Sequence, residues 1–120
     1  NMALIFGLSL LFSFMMAIIL QVIVIHQTHL GSLLTTQPGF KPGDEQMIEQ
    51  YKTFMAQYGT TFRTFGHGVF HGVVFSVFFI LPLMATNAMF ERKSWKYIWI
   101  NWGYWTISVA LMGGIICGWK

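Results

Sequence analysis

The sequence predicts an all-α polytopic membrane helix bundle, with three transmembrane helices plus one outer amphipathic interfacial helix in a single membrane domain over 1–120. Three observations carry this expectation. The run from Thr64 to Phe90 holds no Asp, Glu, Lys or Arg, and it exceeds the roughly 20 apolar residues that cross a bilayer core. The 120 residues are 55% hydrophobic and 9% charged, too few charges to cover a water-facing globule. Trp95, Trp99, Trp102 and Trp105 crowd the start of the last apolar run and Trp119 ends it, where aromatic rings favour the headgroup boundary.

The first span is expected over about 3–25. Ser9, Ser13 and Ala17, with Gln21, recur at four-residue steps and make a face of small, weakly polar side chains that prefers helix contacts to acyl chains. Such serines also bond their own backbone, so packing alone accounts for the face. No basic stretch opens the segment and no small-residue cleavage site precedes His26, which argues against a cleavable signal peptide. Gly31, Pro38-Gly39 and Pro42-Gly43 then punctuate a connection.

From 44 to 58 the apolar residues Met47, Ile48, Tyr51, Phe54, Met55 and Tyr58 fall at helix spacing, which reads as an amphipathic helix. Asp44 suits its N-cap and Gly59 its C-terminal cap. The polar face is mixed in sign, so the helix is expected to lie flat on the interface or against a partner protein.

The second span, about 64–88, has Arg63 at its mouth. It carries Gly68, Gly72 and Ser76 on one stripe of small residues, and Pro82 removes a backbone bond and predicts a kink. The connector 91–96 has three basic residues against Glu91, so the positive-inside rule makes it cytoplasmic and 31–62 extracytoplasmic; for a bacterial source this is the inner membrane. The third span, about 97–119, brings a second ladder, Ala110, Gly114 and Gly118, expected to face Gly68 and Gly72. Asn87, Asn101 and Gln21 are expected to tie helices together.

The histidines are the one convergent chemical feature. His26 and His29 end the first span at its outer edge, and His67 and His71 begin the second from that edge. Spacings of three and four put each pair on one helical face, the arrangement by which two helices supply imidazole ligands to a transition metal. A haem held by one histidine from each helix is the other cofactor option. Against both stands the plain reading, in which edge histidines bond backbone carbonyls, Gln27, Thr28 or water. Asp44, Glu45 and Glu49 are the acids within reach to orient a ring. No nucleophile motif or phosphate-cradling loop is visible, so no catalytic residue is assigned. The lone Cys117 excludes an intrachain disulfide, and a net charge of +3 is too small and dispersed for nucleic acid.

Several strings carry a resemblance. Asn87, Phe90-Glu91 with a basic cluster after them, Ile100-Asn101-x-Gly103-Tyr104 and Met112-Gly113-Gly114-Ile115 resemble a family of small bacterial integral membrane proteins known as domain of unknown function 1761. The stretch from Asn1 to Leu34, together with the IHQTH and FGHGVFHG strings, looks like its Bacteroidota branch. The resemblance implies one further N-terminal helix and a short basic loop, hence a four-span parent of which this chain is N-terminally incomplete. It implies no activity.

Three functions follow as expectations. The first is a non-enzymatic small membrane subunit, packing through its small-residue ladders and its outer amphipathic helix into a larger complex, with lipid and other subunits as partners. The second is a metal- or haem-bearing protein for electron transfer or metal handling. The third is a homo-oligomeric transporter.

Overall fold

The computed structural model describes residues 1–39 and 41–119, the side chains of Ile5, Leu8, Ser9 and Phe12 excepted. The packing role expected of Ser9 therefore falls outside the described residues. The described chain is helical, with no strand, and measures 57 × 29 × 29 Å.

Helix α1 covers Met2–Val24, capped by the Asn1 side chain accepting from Ala3 N at 3.0 Å. Ile25 then turns extended, with φ −106° and ψ 98°, and the chain bends by 71° into α2, Thr28–Thr35. Gly31, expected to begin a connection, instead lies inside α2. Its turn preference gives way because Leu30 and Leu33 are apolar side chains with α3 beside them. Helix α3, Glu45–Tyr58, starts where Asp44 accepts from Gln46 N and Met47 N at 3.0 and 3.3 Å, and Gly59 ends it. Helix α4, Phe65–Phe75, runs through a π-helical turn, Ser76–Ile80, into α5, Leu81–Phe90; α6 covers Trp95–Gly118.

Pro82 accounts for the π turn. A proline in a helix has no N–H to give and its ring presses on the carbonyl four residues back. The turn before it is widened, so that Leu81 N–H reaches Ser76 O, five residues back. The extra residue rotates Ser76 into the bundle, where it is fully buried. Its hydroxyl lies 2.6 Å from Thr106 Oγ1. Thr106 spends its own proton on Trp102 O at 2.8 Å, so Ser76 is the donor of the pair. Trp102 Nε1 donates to Ser76 O at 3.2 Å and closes the loop. The side-chain polar groups of Ser76, Trp102 and Thr106 are thus paired in apolar surroundings, as a bilayer interior demands. Asn101, by contrast, donates to Tyr97 O of its own helix at 2.8 Å rather than to another.

The bundle is organised on the contact of α4 with α6. Gly68 lies against the Gly113 carbonyl and Cys117, and Gly72 against Val109 and Ala110. The second ladder is therefore displaced by one position from the expectation: Gly113 meets Gly68, while Gly114 and Gly118 flank Phe65. Val109, Gly113 and Cys117 repeat every four residues and share one buried face, so this row, and not 110, 114 and 118, points at α4. Helix α1 adds Leu20 and Val24, each 1% exposed, with Ala17 half-buried and Ser13 on the outer side.

Two helices, Phe65–Phe90 and Trp95–Gly118, are long and apolar enough to cross a membrane, and a third crossing exists if the bent α1–α2 pair is one broken span. The surface agrees. Phe78, Phe90 and Ile107 point outward while glycines and serine fill the interior, the inverse of a water-soluble core. Trp95 and Trp119 are exposed at opposite ends of α6, about 36 Å apart at the helical rise, which exceeds the roughly 30 Å of a hydrocarbon core.

Candidate metal centre

The loop into α4 is held from two sides. Gln27, in the bend between α1 and α2, donates both amide hydrogens, to Tyr58 O at 2.9 Å and Thr61 O at 2.8 Å. Arg63 reaches across to the end of α6, donating from Nε to Cys117 O at 2.9 Å and from Nη2 to Ile116 O at 3.4 Å and Trp119 O. A guanidinium there satisfies carbonyls that a helix end leaves without partners, and complements its dipole. Cys117, fully buried, turns its Sγ to Phe62 O at 3.3 Å and Val24 O at 3.5 Å. Between these ties Phe62 adopts φ +60°, a left-handed conformation that costs a side-chain-bearing residue about 1–2 kcal/mol.

Thr64 then caps α4 through its hydroxyl, which accepts from His67 N at 3.2 Å. His67 and His71 follow one turn apart on one face. The bend at Ile25 swings His26 toward them. The three Nε2 atoms meet: His26 to His67 at 3.0 Å, His26 to His71 at 3.2 Å and His67 to His71 at 3.0 Å. Phe62 stacks on the His67 ring, centroids 5.2 Å apart and planes 25° apart, and presents an edge to His26.

This triangle cannot be a set of hydrogen bonds. A ring nitrogen either carries a proton or offers a lone pair, never both. With three nitrogens and two roles, at least one contact must set like against like, proton against proton or lone pair against lone pair. A cation receiving all three lone pairs removes the conflict. The dimensions suit one: Zn–N bonds of about 2.0–2.1 Å give N···N edges of about 3.3 Å in a tetrahedron and about 2.9 Å in an octahedron, and the observed edges lie between. An ion held by the three imidazoles would keep further coordination positions open to another ligand. A haem fits less well. Axial nitrogens on opposite faces of a haem iron stand about 4 Å apart with a macrocycle between them, whereas these rings converge on one point.

Of the four histidines picked out in the sequence, His26, His67 and His71 come together, and His29 does not. Its Nδ1 lies 3.4 Å from Thr28 Oγ1, and it borders a neighbouring cavity. Asp44, Glu45 and Glu49 do not join the cluster; Asp44 borders a separate cavity beside Gly31 and Thr35. Phe62 and the double tie made by Gln27 were not foreseen, since neither left-handed backbone nor a side chain spanning distant loops has a signature in a single sequence.

Fold and cluster together define a small all-helical protein with two to three candidate membrane spans and a three-histidine centre. The chain belongs to the DUF1761 family, proteins of unknown function, whose family model matches residues 1–117. No curated protein and no solved structure matches it.

Proposed function

We propose that this is a metal-handling membrane protein in which His26, His67 and His71 hold one divalent transition metal at the extracytoplasmic edge of a three-span bundle. The observation that carries the reading is the convergence of three Nε2 atoms within 3.2 Å of one another, an arrangement that mutual hydrogen bonds alone do not satisfy. On this reading α1 and α2 form one broken span, α3 rests at the interface as an amphipathic helix, 31–62 is extracytoplasmic and 91–96 cytoplasmic, in a bacterial inner membrane. The three basic residues of the short 91–96 connector support that orientation.

A purely structural subunit of a larger complex stands behind this reading. That reading packs the small-residue ladders and the outer amphipathic helix against other subunits, and of these Gly68, Gly72, Gly114 and Gly118 are covered by neighbours in the same chain. Metal loading tests the proposal. Protein purified without chelator and titrated with Zn2+ or Co2+ is expected to bind one ion per chain, to lose it in His67→Ala and His26→Ala, and to keep it in His29→Ala. Absence of a tight site in the unaltered protein, or indifference to His67→Ala, overturns the reading.

A further inference from the structure

Building on the metal reading, we propose that the open side of the ion and the adjoining cavity together bind a single-chain amphiphile with an anionic oxygen head, a medium- to long-chain carboxylate. The head would ligate the ion and the tail would occupy the cavity.

Charge argues for the head. Three neutral imidazoles leave a divalent ion with its whole charge, and no carboxylate or thiolate among the described residues joins them. Cys117 is turned away toward two backbone carbonyls, and Arg63, the nearest charged residue in sequence, is itself a cation. At a membrane edge, where the effective dielectric is below that of water, an uncompensated ion draws an anion strongly. Hard oxygen donors also suit the positions that nitrogen leaves open on zinc and its neighbours.

Shape argues for the tail. A cavity of about 340 Å³ is lined by His26, the one residue it shares with the metal cluster, by Leu30 and Leu33 of α2, by Phe54 and Tyr58 of α3, and by Phe62. That size falls in the range of small-molecule sites. It equals the volume of about eleven liquid waters, room for on the order of ten methylenes, which is the volume of one medium-length chain. The walls are almost wholly apolar; both amide hydrogens of Gln27 are spent and its Oε1, which has no partner, is itself buried, so the tail should be hydrocarbon.

The test uses the full chain in zwitterionic nanodiscs loaded with Co2+, whose visible bands report ligands entering the metal's own coordination sphere, and three probes: decanoate, decanol and acetate. Decanoate is expected to change the bands saturably at one equivalent, with an affinity at least tenfold above acetate, while decanol leaves them unchanged. Narrowing the cavity from either wall, by Leu33→Trp or Phe54→Trp, is expected to weaken decanoate tenfold or more without altering acetate binding or cobalt stoichiometry, which also certifies that the variants are folded. Decanoate no better than acetate, or indifferent to both tryptophans, overturns the amphiphile proposal and leaves the metal site standing. Failure to take up cobalt overturns both.

Discussion

Gly68 and Gly113 meet backbone to backbone, so closely that a methyl group added to Gly68 would coincide with the Gly113 carbonyl. The two helices that build the bundle touch there without side chains between them, and His67 is the adjacent residue in the chain. Gly68→Ala must therefore force α4 and α6 apart, and a loss of about 2–4 kcal/mol is expected, as for other overpacked or strained cores. Gly66→Ala, in the same turn of helix but with open space around it, is expected to be neutral or slightly stabilising, because alanine favours the helix by about 0.5–1 kcal/mol. Reversible unfolding in mixed micelles compares the pair directly.

The metal centre should be acid-labile in a characteristic way. Only the neutral imidazole offers a lone pair, so each bound ion displaces any protons the three rings carry. Affinity is expected to fall as the pH is lowered, eventually by more than one decade per pH unit because protons compete with the ion for more than one ring. Zinc titrations against a chromophoric chelator between pH ~5.5 and ~8 measure this. A site resting on carboxylates would hold its ion to about pH 4–5 and would contradict the assignment.

Arg63 ties the site loop to the far end of α6 through three carbonyls. Arg63→Gln removes the charge from the helix terminus and most of the fork, and is expected to cost about 1–3 kcal/mol. Arg63→Lys should recover part of this, since it restores the charge but not the planar geometry. Thermal unfolding monitored by circular dichroism ranks the three proteins; equal midpoints would show that the tie carries no stability.

The Ser76–Thr106 pair should behave as a coupled unit. Ser76→Ala and Thr106→Val each break the 2.6 Å contact, and a double-mutant cycle is expected to give a coupling near ~0.6 kcal/mol and no more than ~1.7, the range seen for hydrogen bonds inside membranes. Zero coupling would mean that each hydroxyl bonds equally well to its own helix.

Much of this architecture is legible from the sequence because bilayers impose simple rules. The charge-free run to Phe90 and the Asp44 cap each have a local physical cause, and the helix each one belongs to is present. Which row of a helix faces its neighbour has no such local cause. Residues 109, 113 and 117 compete with 110, 114 and 118 on equal terms in the sequence, and only the rotation imposed by packing chooses between them. The histidines divide for a similar reason. Two of them four apart on one helix are predictable partners, but whether His26 or His29 joins them depends on where α1 breaks, and Ile25, a residue with no turn preference, does the breaking. Phe62 is less legible still, because its backbone is set by ties to Gln27, Arg63 and Cys117 that come from all over the chain.

The bend at Ile25 has a mechanical side. His26 sits on the fold line of a 71° elbow, while the other two imidazoles belong to the straight wall beside it. An ion clasped by all three would act as a latch across that elbow, fixing the angle at which the α2–α3 arm leans over the bundle, and its departure would unlatch the arm. Occupancy of a single atom would then be legible at the outer surface as posture.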